Sequence, residues 1–417
     1  MRTFPLTALA VVLCAVSAGP CLAQDFDPLA LEAEAPPAAG SSPWRIGLDL
    51  AAGRLSTRGG ASDDTSRASV DLRYTHAFSP AWQFVLSDRV DRVEPPLPGR
   101  PNTTNSLREL ALGWRNADAT TSVDLGRVTV RQGPAYGYNP TDFFRDGALR
   151  AVTTTDPVAL RETRLGTAML RAGTLWDDGG LSVAYAPRLD DPDPATASVD
   201  LGSTNHRDRF VATLDRRFGE RSSVQGLVML EAGRGAALGA SGSTLIGDAL
   251  VAYGEWSWGK SGKLLPQVLG LDEALERHHR AATGLTYTLP TGLALTVEAE
   301  YNGAGLDEAD WRTLAAIGAP AYASYLGVTQ PSQEMGARRA WLVYLSQKSL
   351  GTKNLDLTAF VRHNASDGSR LAWLELRYHF SALDLALQWQ HSSGDAASEF
   401  GANPYRRVLQ AVVGAVF

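Results

Sequence analysis

The chain has 417 residues, 44% hydrophobic, 8% aromatic and 20% charged, with 40 glycines and only two cysteines. Thirty-nine basic residues against 45 acidic ones give a formal charge of -6, which speaks against a strongly basic surface and leaves nucleic acid out of the expected partners. Beyond the N-terminal segment no run approaches the ~18 uninterrupted apolar residues of a membrane helix, so a polytopic helical membrane protein is excluded.

Residues 1–23 carry one early positive charge at Arg2, an apolar run from Leu6 to Val16, and small residues ending at Ala23. That pattern reads as a secretory signal cleaved after Ala23. A lipoprotein signal would use Cys21, but Pro20 stands where such signals carry a small residue. Both cysteines, Cys14 and Cys21, fall inside the signal, so the mature chain is expected to have no disulfide. Only Lys260, Lys263, Lys348 and Lys353 are lysines, leaving 35 arginines; codon bias explains this as readily as recognition of anions. Residues 24–42, rich in Ala, Pro, Ser and acids, read as a flexible periplasmic leader.

From Trp44 the pattern has period two. Val70, Leu72, Tyr74 and His76 alternate with Ser69, Asp71, Arg73 and Thr75; Leu293, Leu295, Val297, Ala299 and Tyr301 alternate with Ala294, Thr296, Glu298 and Glu300. The same rhythm recurs over 355–362 and 383–390. Many segments run about ten residues, the length of a tilted membrane strand. Tight turns at Ser79-Pro80, Asn116–Asp118, Asp177–Gly180, Pro290–Gly292 and Ser381-Ala382 alternate with long stretches at 92–105, 131–162, 188–206 and 302–337. Short turns at one end and long loops at the other are the signature of an outer-membrane barrel. The last strand places Tyr405, Arg407, Leu409, Ala411, Val413, Ala415 and Phe417 on one face. It resembles the C-terminal signal read by the barrel-assembly machinery of Gram-negative bacteria.

Seventeen strands are clear, near 44–54, 67–78, 81–91, 106–115, 120–130, 163–175, 180–187, 207–217, 222–232, 244–258, 279–289, 292–301, 338–347, 354–363, 370–380, 383–391 and 405–417. A single-chain barrel with both termini in the periplasm needs an even number. Tracing from each end gives conflicting directions for 244–258 and 279–289, so an eighteenth strand is expected at Lys263–Gly270, with Pro266 at a bulge or strand end. The expected fold is an all-β transmembrane antiparallel barrel of about 18 strands (16–18) over residues 43–417, with long extracellular loops.

Such a barrel is wide enough for an aqueous lumen unless loops fold in. Alternation points Arg67, Arg73, Arg89, Arg207, Arg209, Arg217, Arg362 and Arg377 inward, with acids that include Glu298, Glu300 and Glu375. These groups either pair across strands or form a ladder that orients an anionic or sugar-like permeant. Loop 131–162 carries Tyr136, Tyr138, Phe143, Phe144, Arg145, Arg150 and Arg161, and is expected to fold inward as a constriction. Leu306–Tyr325, with helical spacing at Trp311, Leu314, Ala315 and Ile317, is expected to form an amphipathic helix at the mouth.

The run LGRVTVRQGPAYGYNPTDFF at 125–144 resembles the Gly-Arg strand and Asn-Pro-x-Asp loop of barrels related to the alginate-export family; YNGAGLDEADW at 301–311 and QWQHSSGD at 388–395 are similar to later landmarks of that group. The resemblance implies an export or diffusion channel for polysaccharide or another bulky solute, with periplasmic export partners. Related barrels often carry Trp-Gly where this chain has Arg131-Gln132-Gly133. The sequence thus leads to a passive channel, monomeric or trimeric, seated among outer-membrane lipid and lipopolysaccharide, without cofactor, metal or catalysis. Two alternatives stand beside it: uptake of aromatic compounds along Tyr136 and Phe143 towards Trp373, and a lipid hydrolase using His391 with a nearby serine. The pair His278-His279 lacks the spacing of a metal site.

Overall fold

The computed structural model describes residues 42–96, 100–272 and 274–417. The export signal and all but the last residue of the leader therefore lie outside the described residues. From Trp44 onward the chain forms one closed antiparallel sheet of eighteen strands. These are β1 (Trp44–Thr57), β2 (Ser62–Ser79), β3 (Trp82–Glu94), β4 (Thr103–Arg115), β5 (Thr121–Val128), β6 (Thr167–Trp176), β7 (Gly179–Ala186), β8 (Arg209–Phe218) and β9 (Ser222–Glu231), followed by β10 (Gly235–Ile246), β11 (Leu250–Ser261), β12 (Glu276–Thr288), β13 (Ala294–Asn302), β14 (Arg339–Gln347), β15 (Leu355–Asn364), β16 (Arg370–His379), β17 (Asp384–Ser393) and β18 (Tyr405–Val416). Each strand pairs with its sequence neighbours, and β1 closes the ring on β18, with Leu50 opposite Val413 on one side and Ala68 on the other. Closure leaves no unpaired edge, which is what allows a sheet to sit in lipid.

The eighteenth strand is β10, not Lys263–Gly270. The segment expected as a single strand at 244–258 is the end of β10, a turn at Gly247 (φ 64°) and most of β11. The sequence of β10, GAALGASGSTLI, is built from small residues whose two faces differ little in hydrophobicity, so its alternation is faint. Leu264–Val268 is instead a short helix, α2. The long loops also hold α1 (Pro157–Glu162), α3 (Glu308–Ile317) and α4 (Ala319–Ser332). The single helix expected over Leu306–Tyr325 is thus two, broken at Gly318, which sits at φ 88°. Asp307 caps α3 in a reciprocal pair with Asp310.

Alternation divides the wall as expected. Leu50, Leu125, Leu214 and Leu285 project from the barrel exterior, each more than half exposed. Outward rings gather towards both rims, Trp44 against Tyr74 at 4.4 Å at one and Trp341 and Trp389 at the other, the aromatic girdles of a membrane barrel. Among the described residues no helix is long and apolar enough to cross a membrane; the strands do so. An exterior of this kind on a closed eighteen-stranded barrel places the protein in the outer membrane of a Gram-negative bacterium. The short turns and both strand ends Trp44 and Val416 share the periplasmic rim. At the opposite mouth Leu264, Val268, Leu306, Trp311, Leu314, Ala321 and Tyr325 pack α2, α3 and α4 into one apolar cluster.

Candidate constriction site

Loop 129–166 enters the lumen, and two carboxylates from the wall hold it there. Glu298 of β13 accepts the backbone N–H groups of Tyr136 (2.7 Å), Gly137 (2.9 Å) and Tyr138 (3.2 Å), and the hydroxyl of Tyr253 (2.7 Å). Glu255 of β11 accepts Ala135 N–H (2.7 Å), Asn139 Nδ2 (3.1 Å) and both the hydroxyl and the N–H of Thr141 (2.7 and 3.3 Å). Consecutive amides turned towards an anion satisfy groups that a buried loop would otherwise leave orphaned. Glycine makes the approach possible: a Cβ on Gly137 would lie 2.2 Å from Glu300 Oε1, and one on Gly133 would lie 2.3 Å from the Glu255 carboxylate.

A second knot joins the two long loops. Glu334, just after α4, accepts from Arg145 (2.6 Å), Arg280 (2.9 Å) and the hydroxyl of Tyr138. Burial alone would raise the Glu334 carboxyl, but Arg280 and Arg145 outweigh it and hold it at about 2. Burial beside Glu334 pushes the Tyr138 phenol up, so it remains a hydrogen-bond donor. Gly147 N–H donates to Pro331 O at 3.0 Å, and Arg164 reaches both Asp142 and Gln333. The extracellular helices and the inward loop are therefore tied together by side-chain and backbone contacts.

Several residues expected to line a permeant path are instead braces. Glu298 is fully buried, Tyr138 and Arg209 are 2% exposed, and Glu300, bonded to Arg362 at 2.5 Å, is 4% exposed. Arg150 donates to the carbonyls of Asn105, Thr196 and Ser198, and Arg161 to those of Gln132 and Gly133. Arg209 stacks on Phe144 and bonds Phe143 O, while Arg207 pairs with Glu231 at 3.4 Å. Arg217 lies at the periplasmic end, donating to Asp177 O. Guanidinium groups serve here because five donors in a fixed fork can close several loop carbonyls at once.

Other expected residues do border open space. Arg73 faces Glu109 at 3.7 Å and remains partly exposed, as does Arg377 beside Glu375 at 2.9 Å. Arg89, by contrast, is buried at 8% exposure, at the centre of an acid cluster formed by Asp91 (2.9 Å), Asp49 (3.2 Å) and Asp71 (3.4 Å). Arg67 donates to Thr153 O. Between this wall and the segment Val152–Thr155 lies a cavity of about 160 Å³, lined by Thr65, Arg67, Gln388, Gln390, Gln410 and Trp373 together with that segment.

Tyr136 packs on Tyr344 (5.4 Å), Tyr344 on Phe360 (6.4 Å) and Phe360 on Trp373 (5.6 Å), so an aromatic row does run from Tyr136 to Trp373. Val158 of α1 and Leu371 cover it, and Phe143 packs elsewhere, with Phe144, Met169 and Val211. His391 stacks on Trp389 on the lipid-facing side, whereas Ser392 points inward, fully buried, with Asn403 on its hydroxyl. Successive residues of a strand face opposite ways, so His391 and Ser392 lie on different faces of the wall. Ser393 shares the face of His391, and its hydroxyl donates to Arg370 O at 3.4 Å.

Glu255, Glu334 and the three glutamines were not singled out from the sequence as site residues. Glu255 shares the inward parity of Tyr253 and Ser257, a signal masked where 244–258 reads as one strand; Gln388 and Gln390 lie in the landmark 388–395. Glu334 sits in a loop without periodicity and left no signal.

No family model and no curated protein matches the chain. Solved structures do. OccAB1 of Acinetobacter baumannii gives a TM-score of 0.59 at 9% identity, covering 90% of this chain and 96% of that one. A BenF-like porin from Pseudomonas fluorescens Pf-5 gives 0.54 at 11% identity, covering 91% and 99%, and OpdL of Pseudomonas aeruginosa 0.54 at 12%, covering 90% and 98%. At such identities the likeness establishes the porin-type barrel fold.

Proposed function

We propose that the protein is a passive outer-membrane channel for small polar solutes, anionic ones included, and that the clasped loop 129–166 sets its narrowest section. The observation that carries this reading is the pair of wall carboxylates, Glu255 and Glu298, holding the loop across an eighteen-stranded lumen. A barrel of that size is otherwise wide and aqueous. The partly exposed arginines Arg67, Arg73 and Arg377 would give the remaining passage a preference for anions, moderated by Asp49, Asp71 and Glu375. A loop clasped across the lumen suits a small solute better than the polysaccharide implied by the alginate-export resemblance.

Single-channel recording of the refolded mature protein in a planar bilayer tests the reading. Steady conductance is expected, with selectivity shifting towards cations in Arg67→Gln/Arg377→Gln. A barrel that stays silent sinks the channel reading; an unchanged selectivity sinks the anion preference. The second reading, uptake of aromatic compounds, is favoured by the row Tyr136–Tyr344–Phe360–Trp373 and requires α1 to lift from it.

A further inference from the structure

The sequence landmark QWQ at 388–390 has a place in the lumen that the charged wall does not explain. Gln388 and Gln390 point inward from β17, Trp389 points outward, and Gln410 of β18 stands directly opposite Gln388 in the strand register. Gly53 of β1 is paired beside Gln410, and a Cβ there would lie 2.3 Å from Leu409 O, so the wall is bare of side chain at that position. Three carboxamides thus share one side of the 160 Å³ cavity, facing Thr153–Thr155 of the inward loop.

Their hydrogen bonding is half committed. Gln390 Oε1 accepts the Thr155 hydroxyl at 2.7 Å, leaving its amide N–H groups; Gln388 Nε2 donates to Glu375 at 2.6 Å, leaving its carbonyl oxygen. Among the described residues Gln410 makes no side-chain hydrogen bond, so both of its ends are open to the cavity. The lining therefore offers donors and acceptors side by side. An ionised carboxylate can only accept, and would meet the free Gln388 and Gln410 oxygens as repulsive neighbours; a hydroxyl group both donates and accepts and can use every position. Arg67, the one cation in the lining, gives one of its N–H groups to Thr153 O and keeps its Nε–H unpaired, so an anion held by Arg67 is the competing occupant that the test separates. At about 30 Å³ per water the cavity holds about five water volumes, space for a small polyol or one sugar ring.

We propose that Gln388, Gln390 and Gln410, with Thr155, form a subsite for uncharged polyhydroxylated solutes of the carbohydrate type. The subsite rests on the channel reading and narrows it, since it selects hydroxyl groups rather than charge.

The test is titration of the refolded full barrel with D-glucose, with D-glucuronate as the charged counterpart, read as interruptions of single-channel current and, independently of conduction, by saturation-transfer NMR in detergent. Glucose is expected to interrupt the current and to show transfer. Gln410→Leu, which breaks no protein hydrogen bond, and Gln390→Leu are expected to weaken both signals about three- to tenfold each, the size of losing one or two neutral hydrogen bonds. An open channel in which glucose gives neither signal overturns the subsite and leaves the channel standing. Glucuronate acting more strongly than glucose, with the effect lost in Arg67→Gln, overturns the uncharged class in favour of anions. A silent barrel defeats the channel reading, and the NMR titration then decides the subsite alone.

Discussion

Replacing Glu298 with Gln tests whether the loop is held by charge-assisted acceptance or merely by packing. In the native protein each carboxylate oxygen accepts two donors: Oε1 those of Gly137 and Tyr138, Oε2 those of Tyr136 and Tyr253. Glutamine keeps one accepting oxygen and turns an NH₂ group towards the other two donors; the Tyr253 hydroxyl can turn round and accept from it, but a backbone N–H cannot, so one or two donors become unsatisfied in a buried site. At about 1–3 kcal/mol for each stranded group the anchoring weakens by about 1–6 kcal/mol. Taking about 3 kcal/mol, and 1.4 kcal/mol per factor of ten, the detached population of the loop rises about a hundredfold. Hydrogen exchange followed by mass spectrometry over residues 135–141 reads this directly, with barrel strands such as β2 as the internal standard. Faster exchange of the Tyr136–Tyr138 amides at unchanged strand protection is expected, accompanied by noisier and larger conductance. Native-like protection of those amides in Glu298→Gln would refute the clasp.

Further consequences concern the neighbours of the clasp. Gly137→Ala places a Cβ 2.2 Å from Glu300 Oε1 and 2.9 Å from Leu342 Cδ2, so the loop must shift; a loss of about 1–3 kcal/mol is expected, seen as faster exchange in the same peptides. Glu334 is held at about 2 against its ordinary 4.5, so its contribution is present above pH 4.5 and is lost as the pH falls towards 2; conductance noise should rise across that window in the native protein and be largely pH-independent there in Glu334→Gln. Asp156, capping α1, is pushed up to about 6 by burial, so protonation favours the folded loop and stability falls as the pH rises from about 4 through 6; Asp156→Asn should flatten that dependence in exchange at 157–162. Asp307→Ala removes the cap of α3 and its 2.9 Å contact to Arg338, costing about 0.5–2 kcal/mol, with a red-shifted Trp311 emission as the helix loosens; an unchanged spectrum would show that the apolar cluster alone orders α3.

Much of the barrel was legible because the information is local. Leu293, Leu295 and Val297 against Thr296, Glu298 and Glu300 announce one lipid face and one inner face whatever the partners are. The tight turns announce the periplasmic rim in the same way. Where side chains shrink, the signal fades: β10, made largely of Gly, Ala and Ser, shows no clear alternation, and an even count then points to Lys263–Gly270, where leucines serve a helix cluster instead.

The site was legible only as direction. The sequence by itself determined that Arg67, Glu298, Glu300 and Arg362 point into the lumen and that a long aromatic and arginine-rich segment separates β5 from β6, because side-chain parity and loop length need no knowledge of the fold. Only the tertiary structure decided which of those groups meet water. Glu298 is sealed beneath three amides of a loop about 160 residues earlier in the chain, Arg145 is sealed on Glu334 nearly 190 residues later, and Gln410 is left open beside Gln388. These outcomes follow from which wall the loop reaches when it turns inward. That choice depends on backbone donors finding buried acceptors across the lumen, a match between distant segments that leaves no periodic trace in either one.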